Sequence, residues 1–210
     1  IDPLSISDYE AHGGFVGLTK AKQMSGAEIV AEVTESGLRG RGGAGFPAGI
    51  KWKTVLDAKS DQKYICCNAD EGDSGTFADR ILMEGDPFTL IEGMAIAALA
   101  VGATKGFIYI RSEYPDAITK MEKAILLASE KLGAFELKVR VGAGSYVCGE
   151  ETAMLESLEG KRGVVRAKPP LPALEGLFGK PTIINNVLTL ASVPEIIASG
   201  AASYKSRGIG

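Results

Sequence analysis

Apolar positions recur at helical spacing through residues 27–36, AEIVAEVTES, and the run stops at Gly37, which suits a helix terminus. A bare loop follows, and a further helix is expected from about Pro47, a residue tolerated in a first turn. Residues 63–70, KYICCNAD, read as a short buried strand that ends on polar side chains. Residues 86–103 form a long apolar helix, headed by Asp86 and Pro87 as N-cap and first turn. KGFIYIRSEYP (105–115) is the clearest strand, and 116–133 make an amphipathic helix closed by Gly133. Residues 135–144 alternate as a strand and run into a second glycine loop, from which a helix opens at about Glu150. After a proline-rich connector, 167–181, the stretch 182–200 reads as one or two helices. Strands alternating with helices predict an α/β layered domain with a mainly parallel sheet flanked by helices. The last ten residues read as the start of a segment that the chain does not complete.

A length of 210 residues suits one domain, and 45% hydrophobic with 23% charged residues is ordinary for a globular chain. Glycine departs from the ordinary: 27 of 210 is about 13%, against a usual level of roughly 7%. These glycines cluster in loops without a repeat, which excludes collagen-like and low-complexity readings. A net charge of −3 leaves no basic face and argues against nucleic acid as partner. Cys66, Cys67 and Cys148 form no CxxC pair, and adjacent Cys66 and Cys67 fit disulfide geometry poorly, so reduced packing thiols in a cytoplasmic compartment are expected. No apolar run approaches the roughly 20 residues of a membrane span, so direct membrane contact is not expected. The start at Ile1 suggests a fragment of a longer polypeptide.

Two glycine loops sit at strand and helix junctions, where backbone amides and a helix N-terminus favour a phosphate. The first, 40–49, is flanked by Arg39, Arg41 and Lys51; the second spans 142–149. Neither matches GxxxxGK[ST], and GAGSYVCG lacks the GxGxxG spacing, so each is either a phosphate site or a tight turn. CNADEGDSGTFADR (67–80) gathers Asn68, Asp70, Glu71 and Asp73 beyond a strand's carboxyl end, the usual ligand position in open α/β sheets. Acids repel a phosphate, so these would face hydroxyls or ring N–H groups of a ligand; a solvated turn or a metal loop is the plainer alternative. Glu150 and Glu151 suit a first helical turn through the helix dipole alone, and Asn185 and Asn186 suit simple caps. Lone His12 fits a structural or surface role. Phe46 and Trp52 fit core packing, with stacking on an aromatic ligand as the alternative.

Taken in order, GLRGRGGAGFPAGIKW, CNADEGDSGTFADR, VGAGSYVCGEETAMLESLEGKRG and GKPTIINNV resemble the flavin subunits of NADH dehydrogenases over about residues 36–195. That family includes the 51-kDa subunit of complex I, the diaphorase subunit of NAD-reducing hydrogenases and the beta subunit of NAD-dependent formate dehydrogenases. The run DEGDSGTFADRILMEGDPF looks like the formate dehydrogenase or hydrogenase branch; the formate dehydrogenase beta subunit is favoured, with the hydrogenase diaphorase or complex I flavin subunit as the alternative. The resemblance implies a Rossmann-like domain at 36–200 that holds FMN and NAD(H), after a helical lead-in at 1–35 and before a further segment from 201. It implies hydride transfer between the two cofactors with no protein acid or base in that step. Gly40, Gly42 and Lys51 would take the FMN phosphate side. Asn68, Asp70, Tyr146, Gly149, Glu150, Asn185 and Asn186 would line the ribityl chain and ring. Gly43, Phe46, Glu71, Asp73, Glu151 and Lys168 would meet the nicotinamide nucleotide. Leu171 stands where family members often stack a Phe on adenine, so apolar contact is expected instead, and Asp73 replaces a frequent Glu. Three scattered cysteines cannot ligate an iron–sulfur cluster, so electrons would pass to a cluster in a missing domain, which longer family members carry, or in a partner; the partners implied are a thioredoxin-like iron–sulfur subunit and a larger catalytic subunit. A docking module that has lost its flavin, and a phosphate-binding transferase using Lys51, are the competing readings.

Overall fold

The computed structural model describes residues 2–207, and the tail expected to begin an incomplete segment lies partly outside them. Four strands form one all-parallel sheet in the order β3-β2-β1-β4: β1 Tyr64–Ala69, β2 Lys105–Ile110, β3 Glu136–Val141 and β4 Thr182–Asn186. The register sets Cys66 beside Phe107 on one side and Ile184 on the other. Burial of β1 on both faces explains its unbroken apolar run, because helices cover both sides of a parallel sheet.

Three short helices lead in: α1 Ile6–Ala11, α2 Val16–Ala21 and α3 Gly26–Glu35, the last opened by a capping box between Ser25 and Glu28. Helix α4, Ala48–Asp57, follows the first glycine loop with Pro47 at its N-cap. Two helices separate β1 from β2. Helix α5, Ala78–Gly85, is not anticipated by the sequence pattern; α6, Pro87–Val101, is the expected apolar helix, buried along almost its whole length. Asp86 starts α6 without capping a backbone amide, since its carboxylate accepts from Thr89 Oγ1 at 2.6 Å. The expected helix 116–133 breaks at Ala128 into α7, Pro115–Leu127, and α8, Ser129–Leu132. Helix α9, Glu151–Leu158, follows the second glycine loop as expected.

The stretch 182–200 departs from expectation. Its first five residues are β4, followed at once by α10, Val187–Ala191, and α11, Val193–Ser199. Pairing with β1 extends the β-branched run Thr182, Ile183 and Ile184, and Asn186 then caps α10 through Leu188 N–H. Helix α12, Ala201–Lys205, closes the described chain. The helices pack closely: a Cβ on Gly93 of α6 would lie 2.0 Å from the Leu190 carbonyl oxygen of α10.

One buried acid ties the lead-in to α6. Glu92, 1% exposed, accepts from Tyr9 Oη at 2.7 Å, from Phe15 N–H at 2.8 Å and from Leu18 N–H at 2.8 Å. Burial, reinforced by the Glu92 charge, pushes the Tyr9 hydroxyl pKa upward, so the hydroxyl stays a donor. His12 stays at the surface, half exposed and turned to Asp8 of its own helix.

Candidate functional site

The strand order turns at β1, with β2 and β3 to one side and β4 to the other. In open α/β sheets the crevice beyond the carboxyl ends at such a point is where ligands bind. Here Asn68 and Ala69 end β1, Asn185 and Asn186 end β4, and a cavity of about 1370 Å³ opens beyond them. Four segments wall it: the glycine loop with the start of α4, residues 70–81, the turn into α9, and the connector from Lys168 to Ala173. The volume exceeds the roughly 300–1,000 Å³ of a pocket for one drug-sized ligand.

Every residue that the resemblance assigns to a cofactor lines this one cavity: Gly40, Gly42, Gly43, Phe46, Lys51, Asn68, Asp70, Glu71, Asp73, Tyr146, Gly149, Glu150, Glu151, Lys168, Asn185 and Asn186. Leu171 lines it as well. The first loop is bare for physical reasons. Gly43 has φ 108°, which disfavours any side chain, and a Cβ on Gly42 would crowd Asn186 Cβ at 3.2 Å. Arg41 N–H donates to Thr189 Oγ1 at 2.9 Å, which pins this loop to α10.

Charge is distributed unevenly around the wall. Lys51 Nζ donates to the Ile184 carbonyl at 2.7 Å and lies 3.6 Å from Glu151; burial pushes its pKa down against the Glu151 attraction. Lys168 bridges Glu151 at 2.7 Å and Glu150 at 3.0 Å, and these two acids outweigh burial to hold its pKa up. Glu150 also caps α9 through Thr152 and Ala153 N–H, and such bonds overcome burial to keep its carboxyl below the usual range. Asp70 moves the opposite way: burial raises it, with Arg111 offsetting part. Asp73 accepts from Tyr146 Oη at 2.7 Å.

Some expected features fall elsewhere. Arg39 is exposed, donates to the Gly45 carbonyl and stands outside the cavity wall, while the Arg41 guanidinium turns to Tyr204 Oη. Of the three basic residues flanking the first loop, Arg41 and Lys51 line the cavity; the Arg41 guanidinium is engaged by Tyr204, whereas α4 carries the Lys51 ammonium to the Ile184 carbonyl of β4 in the cavity wall. The second loop contributes Tyr146, Val147 and Gly149, whereas a Cβ on Gly142 would meet the Tyr109 ring at 3.0–3.1 Å, a packing role. Trp52 is fully buried and donates Nε1–H to Asn185 Oδ1 at 2.8 Å, which settles it as core rather than as a stacking platform. Glu71 accepts from Asp79 N–H at 3.1 Å and so caps α5 from inside the cavity.

Sequence reasoning missed Asp79 and the apolar rim of Ile50, Phe77 and Ile81, all of which line the cavity. Asp79 is only 4% exposed, accepts from Asn186 Nδ2 at 2.7 Å, and has its pKa pushed by burial up to about 7. The spacing of Asp79, Leu82 and Met83 on one helical face was the available signal.

The donor set suits a flavin nucleotide: an inward ammonium beside a side-chain-free turn, acids set apart from it, and apolar side chains over a wide opening. Fold and site together define a parallel α/β cofactor-binding module with its crevice at a switch point. The chain belongs to the Nuo51 FMN-binding domain family, which it matches over residues 33–195. It is 55% identical to an NADH-quinone oxidoreductase subunit of Rhizobium meliloti (strain 1021), over 98% of this chain and 51% of that protein. It is 53% identical to the HndC subunit of the NADP-reducing hydrogenase of Solidesulfovibrio fructosivorans, over 99% of this chain and 44% of that protein. A crystal structure of an NAD+-reducing NiFe hydrogenase in the air-oxidized state superposes with TM-score 0.81 at 45% identity, covering 85% of this chain and 31% of that one. The chain spans about half the length of the curated relatives it matches.

Proposed function

We propose that this chain is the flavin module of an NAD(H)-linked redox complex, holding FMN and admitting the nicotinamide nucleotide into the same cavity. The observation that carries this is the gathering of two glycine turns, inward Lys51 and two groups of acids around one crevice at the turn of the sheet. FMN held by these residues would supply hydride exchange with a nicotinamide and release of electrons one at a time. The protein's part is binding and orientation. Lys51 with the Gly40–Gly43 turn holds the phosphate, and Asn68 and Asp70 accept from hydroxyls and ring N–H groups. Tyr146, Gly149, Glu150, Asn185 and Asn186 complete the flavin side. Gly43, Phe46, Glu71, Asp73, Glu151 and Lys168 face the nucleotide, with Leu171 giving apolar cover. Residues 36–200 form this cofactor-binding part, after the lead-in at 1–35.

Cys66, Cys67 and Cys148 are buried and free, and three thiols divided between β1 and the second glycine loop fall short of the four that hold an iron–sulfur cluster. Electrons would therefore leave to clusters held in a further domain or in a partner, the partners being an iron–sulfur subunit and a larger catalytic subunit. No helix among the described residues is long and apolar enough to cross a membrane. Free thiols accord with a cytoplasmic site of action. The relatives above are NADH–quinone oxidoreductase and hydrogenase subunits, which favours a complex I type or hydrogenase diaphorase module. The formate dehydrogenase branch rests on the run from Asp70 to Phe88 alone.

The full-length protein should purify yellow and bleach anaerobically with NADH; colourless protein that takes up no added FMN would overturn the reading. Glu151→Ala is expected to raise KM for NADH roughly tenfold, the worth of one charged hydrogen bond, with FMN content near wild type. Loss of FMN with an unchanged KM would place Glu151 on the other ligand.

A further inference from the structure

Asp79 is a buried carboxyl in the cavity wall that the assignment of cofactor contacts leaves unused. Its Oδ2 accepts from Asn186 Nδ2, while Asn186 Oδ1 accepts from Leu188 N–H at 2.9 Å, so both ends of the Asn186 amide are fixed. Asn186 in turn backs the first glycine turn, because its Cβ lies where a side chain on Gly42 would go. Thr189, one turn further along α10, holds Arg41 N–H. Asp79 therefore sits at the base of a chain that runs through Asn186 to the turn beside Lys51.

The charged surroundings of Asp79 are one-sided. The segment between β1 and α5 brings Glu71, whose carboxylate accepts from Asp79 N–H and opposes a second negative charge. Strand β1 contributes the Cys67 thiol. Helix α10 and β4 offer Asn186 and the Leu188 N–H, which are neutral donors. On α5 itself Arg80 pairs with Glu84, and on α7 Lys120 donates to the Glu84 carbonyl while Asp116 bears on Arg80. At the start of α6, Asp86 accepts from Thr89. Among the described residues no cation pairs with Asp79, and desolvation is the largest cause of its raised pKa.

We propose that Asp79 is a positioning residue that takes up one proton from solvent when FMN enters the cavity, so that flavin binding and proton uptake are coupled. Filling the cavity shields this carboxyl further from solvent and brings a phosphate anion into the same crevice, and both favour the neutral acid. The proton comes from solvent and rests on Oδ1, leaving Oδ2 to accept from Asn186. This rests on the proposed function. A group that binds FMN better when protonated makes affinity fall as pH rises above its free value, here about 7.

The test is an FMN titration of the flavin-depleted full-length protein, followed by FMN fluorescence at pH 7 and above, where a phosphate with its second pKa near 6 is fully charged. Wild-type affinity is expected to fall about tenfold per pH unit above about pH 7. Asp79→Asn keeps an acceptor for Asn186 and mimics the neutral acid, so at pH 8 it should bind FMN about tenfold more tightly than wild type. Lys51 lines the same cavity and also titrates, but it is common to both proteins, so the difference isolates Asp79. Calorimetry of the wild type in two buffers of different ionisation enthalpy should count about one proton taken up at pH 8. Equal pH profiles in the two proteins, or no proton uptake by the wild type, would overturn the inference while leaving the FMN site standing. Absence of FMN binding at any pH would remove both. Where Asp79→Asn does not fold, Lys51→Arg, whose guanidinium keeps its charge throughout, takes its place: about one proton taken up at pH 8 in that variant supports the inference, and its loss overturns it.

Discussion

Lys51→Met is expected to lower FMN affinity roughly 10- to 100-fold, the worth of about 1.5–3 kcal/mol for a hydrogen bond to a charged group. Methionine keeps the length and apolar stem of the side chain, so α4 and the wall around it should be undisturbed. Only the ammonium is lost. That ammonium is held short of full compensation, with a carbonyl at 2.7 Å and the Glu151 carboxylate 3.6 Å away. Burial pushes its pKa down, so a phosphate dianion arriving beside it relieves a cost that the flavin-free protein carries. FMN fluorescence quenching in the flavin-depleted full-length protein measures the effect, and Lys51→Arg should retain much of the affinity. An unchanged affinity in Lys51→Met would move the phosphate away from the first glycine turn.

The second large effect concerns stability. Glu92→Ala should destabilise the fold by about 3–5 kcal/mol, because it strands three donors in a buried site. Tyr9 Oη–H, Phe15 N–H and Leu18 N–H all lose their acceptor at once. Glu92→Gln keeps the volume and one acceptor oxygen, able to serve two of the three donors, but sets its Nε2 donor against the remaining one, so it should cost less, about 1–3 kcal/mol. Urea unfolding followed by circular dichroism reads both variants, and a loss below about 1 kcal/mol would mean that water or a rearranged α2 replaces the carboxylate.

How much of this was legible depends on how local the cause was. KYICCNAD showed itself as a strand because a parallel strand covered on both faces needs an uninterrupted apolar run. TIINN did not, because five residues are too few for a period and a helix begins on the very next residue. Pairing with β1, far earlier in the chain, makes it a strand. Helix α5 was hidden by the acids and glycines before it. In the site, Asn68 and Asp70 could be read from their place at the end of a strand. Arg39 and Arg41 could be read as charge but not as direction, and only the packed loop shows that both guanidinium groups turn to protein acceptors. Asp79 resembled an ordinary exposed acid of a helix; its burial comes from α10, which folds against it from the far end of the chain.

The hydrogen bond from Arg41 N–H to Thr189 Oγ1 joins positions 148 apart. Such long-range closures are the slow part of folding, since the loop entropy is lost before the contact repays it. The crevice is complete only when β4 stands beside β1 and α10 holds the glycine turn, so its walls are drawn from distant parts of the chain. A nucleotide seated there binds only the assembled crevice, so it acts as a clasp between the first glycine turn and α10 and adds to the stability of the folded state by mass action.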